Sequence, residues 1–156
     1  MLLVLGAAPI GAHLQAQHVH GEAMLDIGIE GRTGTLEFRV PGEDLYGFEH
    51  MPRTSPERDR RDAALALLRS RGMSLARFHP ALRCKVTPEA ITSSTGKHIE
   101  VRARYRVACQ HPIAGRDVGF GITAMFPSVV RVRVQLVSDT AQAATTVVRD
   151  RGVVRP

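Results

Sequence analysis

The sequence contains no tryptophan, and aromatic residues make up only 4% of its 156 positions. Aliphatic side chains must therefore build the core, and a hydrophobic fraction of 44% is ordinary for a globular protein. Lysine is also scarce, since Lys85 and Lys97 are its two occurrences, so arginine carries most of the formal net charge of +6. The basic residues are spread along the chain, and Tyr46 and Tyr105 do not form a base-stacking platform, so we expect no nucleic-acid partner.

Several catalytic motifs are missing as well. The sequence has no nucleophile elbow, no phosphate-binding loop and no HExxH motif, and we therefore expect no enzyme. Two cysteines, Cys84 and Cys109, are too few for a cysteine-based zinc finger but suffice for one disulfide, which requires an oxidising compartment. No apolar run is long enough to cross a membrane, so the mature chain is expected to have no membrane span.

The first 17 residues have the pattern of a secretory signal peptide. An apolar segment from Leu2 to Ala12 is followed by small residues, and cleavage near Ala16 would leave His18 close to the mature N-terminus. No basic residue precedes Arg32, so the positive start of such a signal is missing, and a buried N-terminal strand or helix is the alternative. We expect residues 1–17 to be a signal peptide, residues 18–150 a single domain and residues 151–156 a loose tail.

Hydrophobic periodicity predicts an α+β fold. Apolar and polar residues alternate in about six to seven segments that predict strands in hairpins: 22–30, 35–40, 82–93, 98–109, 117–122, 130–136 and 143–148. Thr54 and Glu57 have the spacing of a capping box and open a helix that runs to about Arg71, with Gly72 as its C-cap. We expect this one long helix to pack on a mainly antiparallel β-sheet.

The hairpin of the third and fourth predicted strands can form in several registers. One of them pairs Ser94 with Ile99 across a four-residue turn, and it also places Cys84 opposite Cys109. Directly opposed residues at a non-hydrogen-bonded position are close enough for a disulfide. This register favours a Cys84–Cys109 bridge if the protein is exported, whereas free thiols are expected if it stays in the cytosol.

The HVHG sequence at residues 18–21 is the main candidate for a metal site. On an extended backbone, residues i and i+2 point to the same side, so His18 and His20 can hold one cation between them if the fold supplies further ligands. Imidazoles and carboxylates of this kind are typical zinc ligands. Three other histidines stand next to prolines or in a turn and are expected to lie on the surface: His79, His98 and His111.

Five features follow one another in a distinctive order. They are HVHG before a first strand (18–25), LYGFEH with a later proline (45–52), a charged Ala/Leu-rich helix, cysteines at a strand start and a strand end (84 and 109), and MFP before an alternating strand (125–136). This ordered set resembles the ZrgA-like (DUF2796) periplasmic zinc-binding proteins of bacteria. The resemblance covers the whole chain after the expected signal peptide.

The resemblance implies a periplasmic protein that binds Zn²⁺ and assists zinc acquisition or delivery beside a zinc ABC importer. By the family match, His50 is the third metal ligand beside His18 and His20. Glu49 or Glu22 is then a fourth ligand, or a partner that orients an imidazole.

One departure from the family limits this interpretation. Typical members carry a long His/Asp/Glu-rich loop between the third and fourth strands, whereas this chain has only SSTGKH at residues 93–98. We therefore do not expect storage of many loosely held ions, and zinc binding must rest on the fixed histidines. The alternative function is a metal-free periplasmic module that docks a partner and keeps the family fold.

Overall fold

The computed structural model of the chain describes residues 19–156. The expected signal peptide and His18 lie outside the described residues. The described elements, in chain order, are β1 (Glu22–Glu30), β2 (Thr33–Pro41), α1 (Gly42–Tyr46), α2 (Ser55–Ser70), α3 (Gly72–Leu75), a 3-10 turn (Pro80–Leu82), β3 (Lys85–Ser93), β4 (Glu100–Ala108), α4 (Ile122–Met125), β5 (Arg131–Ser138) and β6 (Gln142–Val148).

The six strands form one sheet in the order β3-β4-β2-β1-β5-β6. All neighbouring pairs are antiparallel except β1 and β5, which run parallel. The α+β class is therefore confirmed, but the sheet is mixed rather than uniformly antiparallel. The parallel pair arises because the chain leaves β4, crosses the buried face through residues such as Ile113 and Phe120, and then enters β5 beside the central strand β1.

The core lies on one face of the sheet, where alternate residues of each strand point inward. In β1, Leu25, Ile27 and Ile29 are buried, as the alternation predicts, while their neighbours face the opposite side. The helix α2 covers this core through Leu68, which is fully buried. The buried hydroxyl of Tyr105 in β4 donates a hydrogen bond of 3.0 Å to the Leu68 carbonyl, so helix and sheet are joined by a polar contact as well as by packing.

The start and the approximate end of α2 are as predicted, but its C-cap is not. The side chain of Thr54 accepts from the Glu57 N–H, and the Glu57 carboxylate accepts from the Thr54 N–H, which completes the capping box. Gly72 is not the C-cap, since Arg71 holds that place and Gly72 opens α3. A Cβ at residue 72 would lie 2.9 Å from the ring of Tyr105, so close packing explains this glycine. Within residues 19–156 no helix is long and apolar enough to cross a membrane.

A disulfide joins Cys84 to Cys109 at the ends of the β3–β4 hairpin. Next to the disulfide the strands pair in the register that places the two cysteines opposite each other. A bulge after Pro88 then shifts the pairing by one residue. At the turn, the N–H of Ser94 consequently donates to the Glu100 carbonyl (2.9 Å), one residue beyond the predicted partner.

Two predictions for the C-terminal third need correction. The segment 117–122 is not a strand of the sheet, because it makes only two isolated bridges, from Gly119 to Arg77 and from Val118 to Val154, before the chain enters α4. The last six residues, expected to be a loose tail, take part in the second of these bridges. Val154 is buried, and the guanidinium of Arg155 donates to the Asp117 carboxylate at 2.7 Å. These contacts fix the tail against the domain.

Candidate metal centre

Three side chains that can bind a metal ion meet where the chain enters β1: His20, Glu43 and Glu49. One ring nitrogen of His20 and one carboxylate oxygen of each glutamate all lie within 4.8 Å of one another. Nδ1 of His20 is 3.1 Å from Oε2 of Glu43, and its Nε2 is 3.8 Å from Oε1 of Glu49. We call these three residues the acidic-histidine group.

The short helix α1 brings the two glutamates together. Glu43 lies in its first turn, and the helix ends at Gly47, whose φ of 90° is a left-handed conformation that favours glycine. The N–H of Gly47 donates to the Glu43 carbonyl at 2.8 Å. The chain therefore reverses after one turn of helix and returns Glu49 to the side on which Glu43 lies.

A buried carboxylate holds His20 next to this helix. The N–H of Gly21 donates to both side-chain oxygens of Asp44, at 3.0 and 2.9 Å, and Asp44 is only 6% exposed. The Gly21 carbonyl accepts from the N–H groups of Val130 and Arg131, both at 2.9 Å. Burial raises the pKa of Asp44, and the Gly21 hydrogen bond opposes that increase. Gly21 is thus fixed on both sides, which positions the preceding His20.

A second imidazole contacts the group from the β3–β4 turn. Nδ1 of His98 lies 2.6 Å from Oε2 of Glu49. This hydrogen bond is the main cause that lowers the pKa of Glu49, with smaller contributions from the charges of His98 and His20. The side chain of Glu49 is 23% exposed, whereas that of His98 is 59% exposed. Glu49 is therefore held as a carboxylate between two imidazoles.

The donor set fits zinc in charge and in ligand type. The segment 40–52 contains three acidic residues and no lysine or arginine, in a chain whose formal net charge is +6. Ligand atoms that share a tetrahedral zinc ion at about 2.0–2.2 Å are about 3.3 Å apart. The His20–Glu43 separation of 3.1 Å already matches this value. The ligand atoms of the whole group lie within 4.8 Å of one another, so binding requires rotation of side chains, for which His20 and Glu43 have room because they are 64% and 44% exposed.

The predicted ligands are only partly brought together. His20 and Glu49 belong to the acidic-histidine group, and His18 lies outside the described residues. Within residues 19–156 the group does not include His50, whose ring stacks on Phe48 (centroids 5.2 Å apart) and whose Nδ1 contacts the Met51 carbonyl at 2.9 Å. The packing of His50 on a buried aromatic ring accounts for its absence from the group.

Glu22 also has other partners. It forms ion pairs with the guanidinium groups of Arg131 and Arg133 on the neighbouring strand β5. Its side chain is 13% exposed, and it belongs to the face of β1 opposite to the buried Ala23. The structure therefore gives Glu22 a role in pairing charges across strands.

Glu43 was not among the predicted ligands. His98 lies on the surface, as expected, but its contact with Glu49 was not predicted. A local signal for Glu43 was available: it stands six positions before Glu49 with a glycine between them, in a segment without basic residues. No local signal marks His98, because its contact with Glu49 spans 49 positions of sequence. Such a contact depends on how β4 is placed beside β2.

Comparison with known proteins gave one result that bears on this geometry. The family model described as "ZrgA family zinc uptake protein" matches residues 17–156. A search among curated proteins gave no match.

Proposed function

Because the chain belongs to the ZrgA family of zinc uptake proteins, we propose that it binds one Zn²⁺ at His20, Glu43 and Glu49 in the periplasm and passes it to a zinc importer. The observation that carries this proposal is the convergence of one imidazole and two carboxylates within 4.8 Å. Zinc is the substrate that the protein carries, and we propose no catalytic role.

The exposure of the group favours transfer rather than permanent retention of the ion. Structural zinc sites are closed and have four protein ligands, whereas open sites keep a position for an exchangeable ligand. Here two of the three side chains are more than two-fifths exposed, and the described ligands number three. A ligand from an importer component can therefore reach the bound ion directly.

Two further features bear on location and on capacity. The Cys84–Cys109 disulfide requires an oxidising compartment in an ordinary bacterial cell. The β3–β4 turn is short, so it cannot act as a flexible multi-histidine reservoir. Within residues 19–156, a fixed site for a single ion is then the capacity that we propose.

A zinc titration with paired variants tests the proposal. The full chain is stripped of metal and titrated with Zn²⁺ against a chromophoric chelator, beside His20→Ala and Glu43→Gln. His111→Ala and Glu30→Gln are the matched controls, because both residues are exposed and lie outside the acidic-histidine group. We expect one ion per chain, with the affinity reduced at least about tenfold by each site variant and unchanged by the controls.

Two results would contradict the proposal. If the native protein binds zinc as weakly as the His20→Ala variant does, the metal-free docking module is the better account. Equal losses in the site variants and in the controls would mean that zinc binds non-specifically to exposed side chains.

A further inference from the structure

We infer that His98 orients Glu49 toward the bound ion, and that the short β3–β4 turn thereby supports the metal site without supplying a ligand. This inference rests on the proposed zinc site. It assigns His98 the part of a positioning residue, which acts on the ion through Glu49.

The two oxygens of Glu49 have different partners. Oε2 is 2.6 Å from Nδ1 of His98, whereas Oε1 faces Nε2 of His20 at 3.8 Å. An ionised carboxylate can only accept hydrogen bonds, so the proton of this contact lies on Nδ1 of His98. The bond therefore fixes the carboxylate plane and leaves Oε1 directed at the acidic-histidine group.

The backbone next to His98 makes this arrangement part of the fold. The N–H of Ile99 donates to the Glu49 carbonyl at 3.0 Å, and the Ile99 carbonyl accepts from the N–H of Gly42 at 2.7 Å. Ile99 is only 3% exposed. The residue that follows His98 is thus bonded both to Glu49 and to the start of α1, which carries Glu43.

The geometry favours an orienting role over a ligand role. Among the described residues, the group whose donor atoms lie within 4.8 Å of one another contains His20, Glu43 and Glu49 but not His98. The one nitrogen of His98 that approaches the group is already bonded to Glu49. Partners that orient the ligands of a metal ion commonly affect its affinity by 10–100-fold.

Three substitutions separate the two roles. His98→Ala removes the donor, His98→Asn places an amide nitrogen near the position of Nδ1, and His98→Gln places one near the position of Nε2. Zinc affinity of the full chain is measured by chelator competition, with His111→Ala as the control. The number of imidazoles on the ion is measured by X-ray absorption at the zinc edge.

We expect His98→Ala to weaken zinc binding by about 10–100-fold, and His98→Asn to recover most of that loss while His98→Gln does not. The imidazole count should be the same in the native protein and in His98→Ala. In a Glu49→Ala background, the His98→Ala change should have no further effect, because the orienting bond is already absent.

Two outcomes would overturn the inference. An imidazole count that falls by one in His98→Ala would make His98 a ligand, and an affinity change below about threefold would remove its role. The same measurements distinguish failure of the zinc site from failure of the role given to His98. If the native affinity does not depend on His20, both proposals fail, whereas dependence on His20 without dependence on His98 refutes only this inference.

Discussion

Asp44 holds His20 in place without being a member of the acidic-histidine group, so its removal separates positioning from coordination. The Asp44→Ala variant removes both acceptors of the Gly21 N–H, which lie at 3.0 and 2.9 Å. The backbone of Gly21 then keeps only its carbonyl contacts with the start of β5. We expect Val19 and His20 to lose their fixed position.

The size of the effect follows from the single donor involved. Because one N–H is shared by two oxygens, we count one hydrogen bond to a charged group, which contributes about 1.5–3 kcal/mol to the free energy of unfolding. For a domain of this size, such a loss lowers Tm by about 3–12 °C. Since Asp44 orients a zinc ligand through the backbone, zinc affinity should also fall by about 10–100-fold.

A matched control exists at the other end of β1. There the N–H of Gly31, which also has a positive φ (56°), donates to the carboxylate of Asp139 at 3.0 Å, but this contact is exposed. Asp139→Ala should cost about 0.5–1.5 kcal/mol and leave zinc affinity unchanged. Asp44→Asn retains one acceptor oxygen, so it should recover part of both losses.

The assay is a urea melt for stability and chelator competition for zinc, performed on the same three variants. Native zinc affinity in Asp44→Ala would refute the reasoning, since zinc binding by His20 would then not depend on the hydrogen bond between Gly21 and Asp44. The reasoning would also fail if Asp139→Ala weakened zinc binding as much as Asp44→Ala does, because a general loss of stability would explain both.

Three further predictions concern the fold. The double variant Cys84→Ser/Cys109→Ser should lose about 3–4 kcal/mol of unfolding free energy in urea melts, because the disulfide closes a separation of 25 residues. Gly72→Ala should lose about 1–3 kcal/mol in the same assay, because the new Cβ lies 2.9 Å from the ring of Tyr105. Asp117→Asn should lower Tm at neutral pH. The hydrogen bond from the C-terminal tail lowers the folded pKa of Asp117 below its ordinary 3.8, so the stabilisation is present above that pH and is lost as pH falls through the folded value.

Each of these predictions has a contrary result. An unchanged urea midpoint on removal of the disulfide would mean that the backbone hydrogen bonds between β3 and β4 stabilise the hairpin without help from the disulfide. Gly119→Ala, at a glycine with open space around it and no positive φ, is the control for Gly72→Ala, and an equal loss in both variants would refute the steric explanation. For Asp117, a Tm difference from the native protein that stays constant between pH 7 and pH 2.5 would show that charge plays no part.

Much of the fold could be predicted from the sequence because local patterns encode it. A strand with one buried face shows a period of two, as Leu25, Ile27 and Ile29 do in β1. The capping box at Thr54 and Glu57 is equally local. Non-local features could not be predicted in this way: nothing within β1 or β5 marks their parallel pairing, which depends on the path of the chain between β4 and β5.

The β3–β4 register illustrates an intermediate case. Pro88 has no N–H to donate to a strand ladder, so its presence is a visible sign of an irregularity. The consequence, a shift of one residue between Pro88 and Ala90, appears only when both strands are in place. The disulfide lies on the unshifted side of this bulge. The register without a bulge therefore predicts the pairing of Cys84 with Cys109 correctly, but not the pairing at the turn.

The candidate site was predictable only where its residues are close in sequence. His20 was proposed from the HVHG motif, whereas the family resemblance implied His50 as a ligand and Glu49 or Glu22 as a further ligand or partner. Neighbouring side chains of a loop diverge: Glu49 faces His20, whereas His50 stacks on the buried Phe48. His98 required the tertiary fold, since it reaches Glu49 from a turn between two distant strands.

The most direct test of the central claim is an X-ray diffraction measurement on crystals of the zinc-loaded protein, with data collected on both sides of the zinc absorption edge. The anomalous difference map locates the ion independently of any assumption about ligands. We predict one strong peak within about 2.0–2.2 Å of side-chain atoms of His20, Glu43 and Glu49. A peak at His50 or at another place without these residues, or no peak at all, would contradict the account.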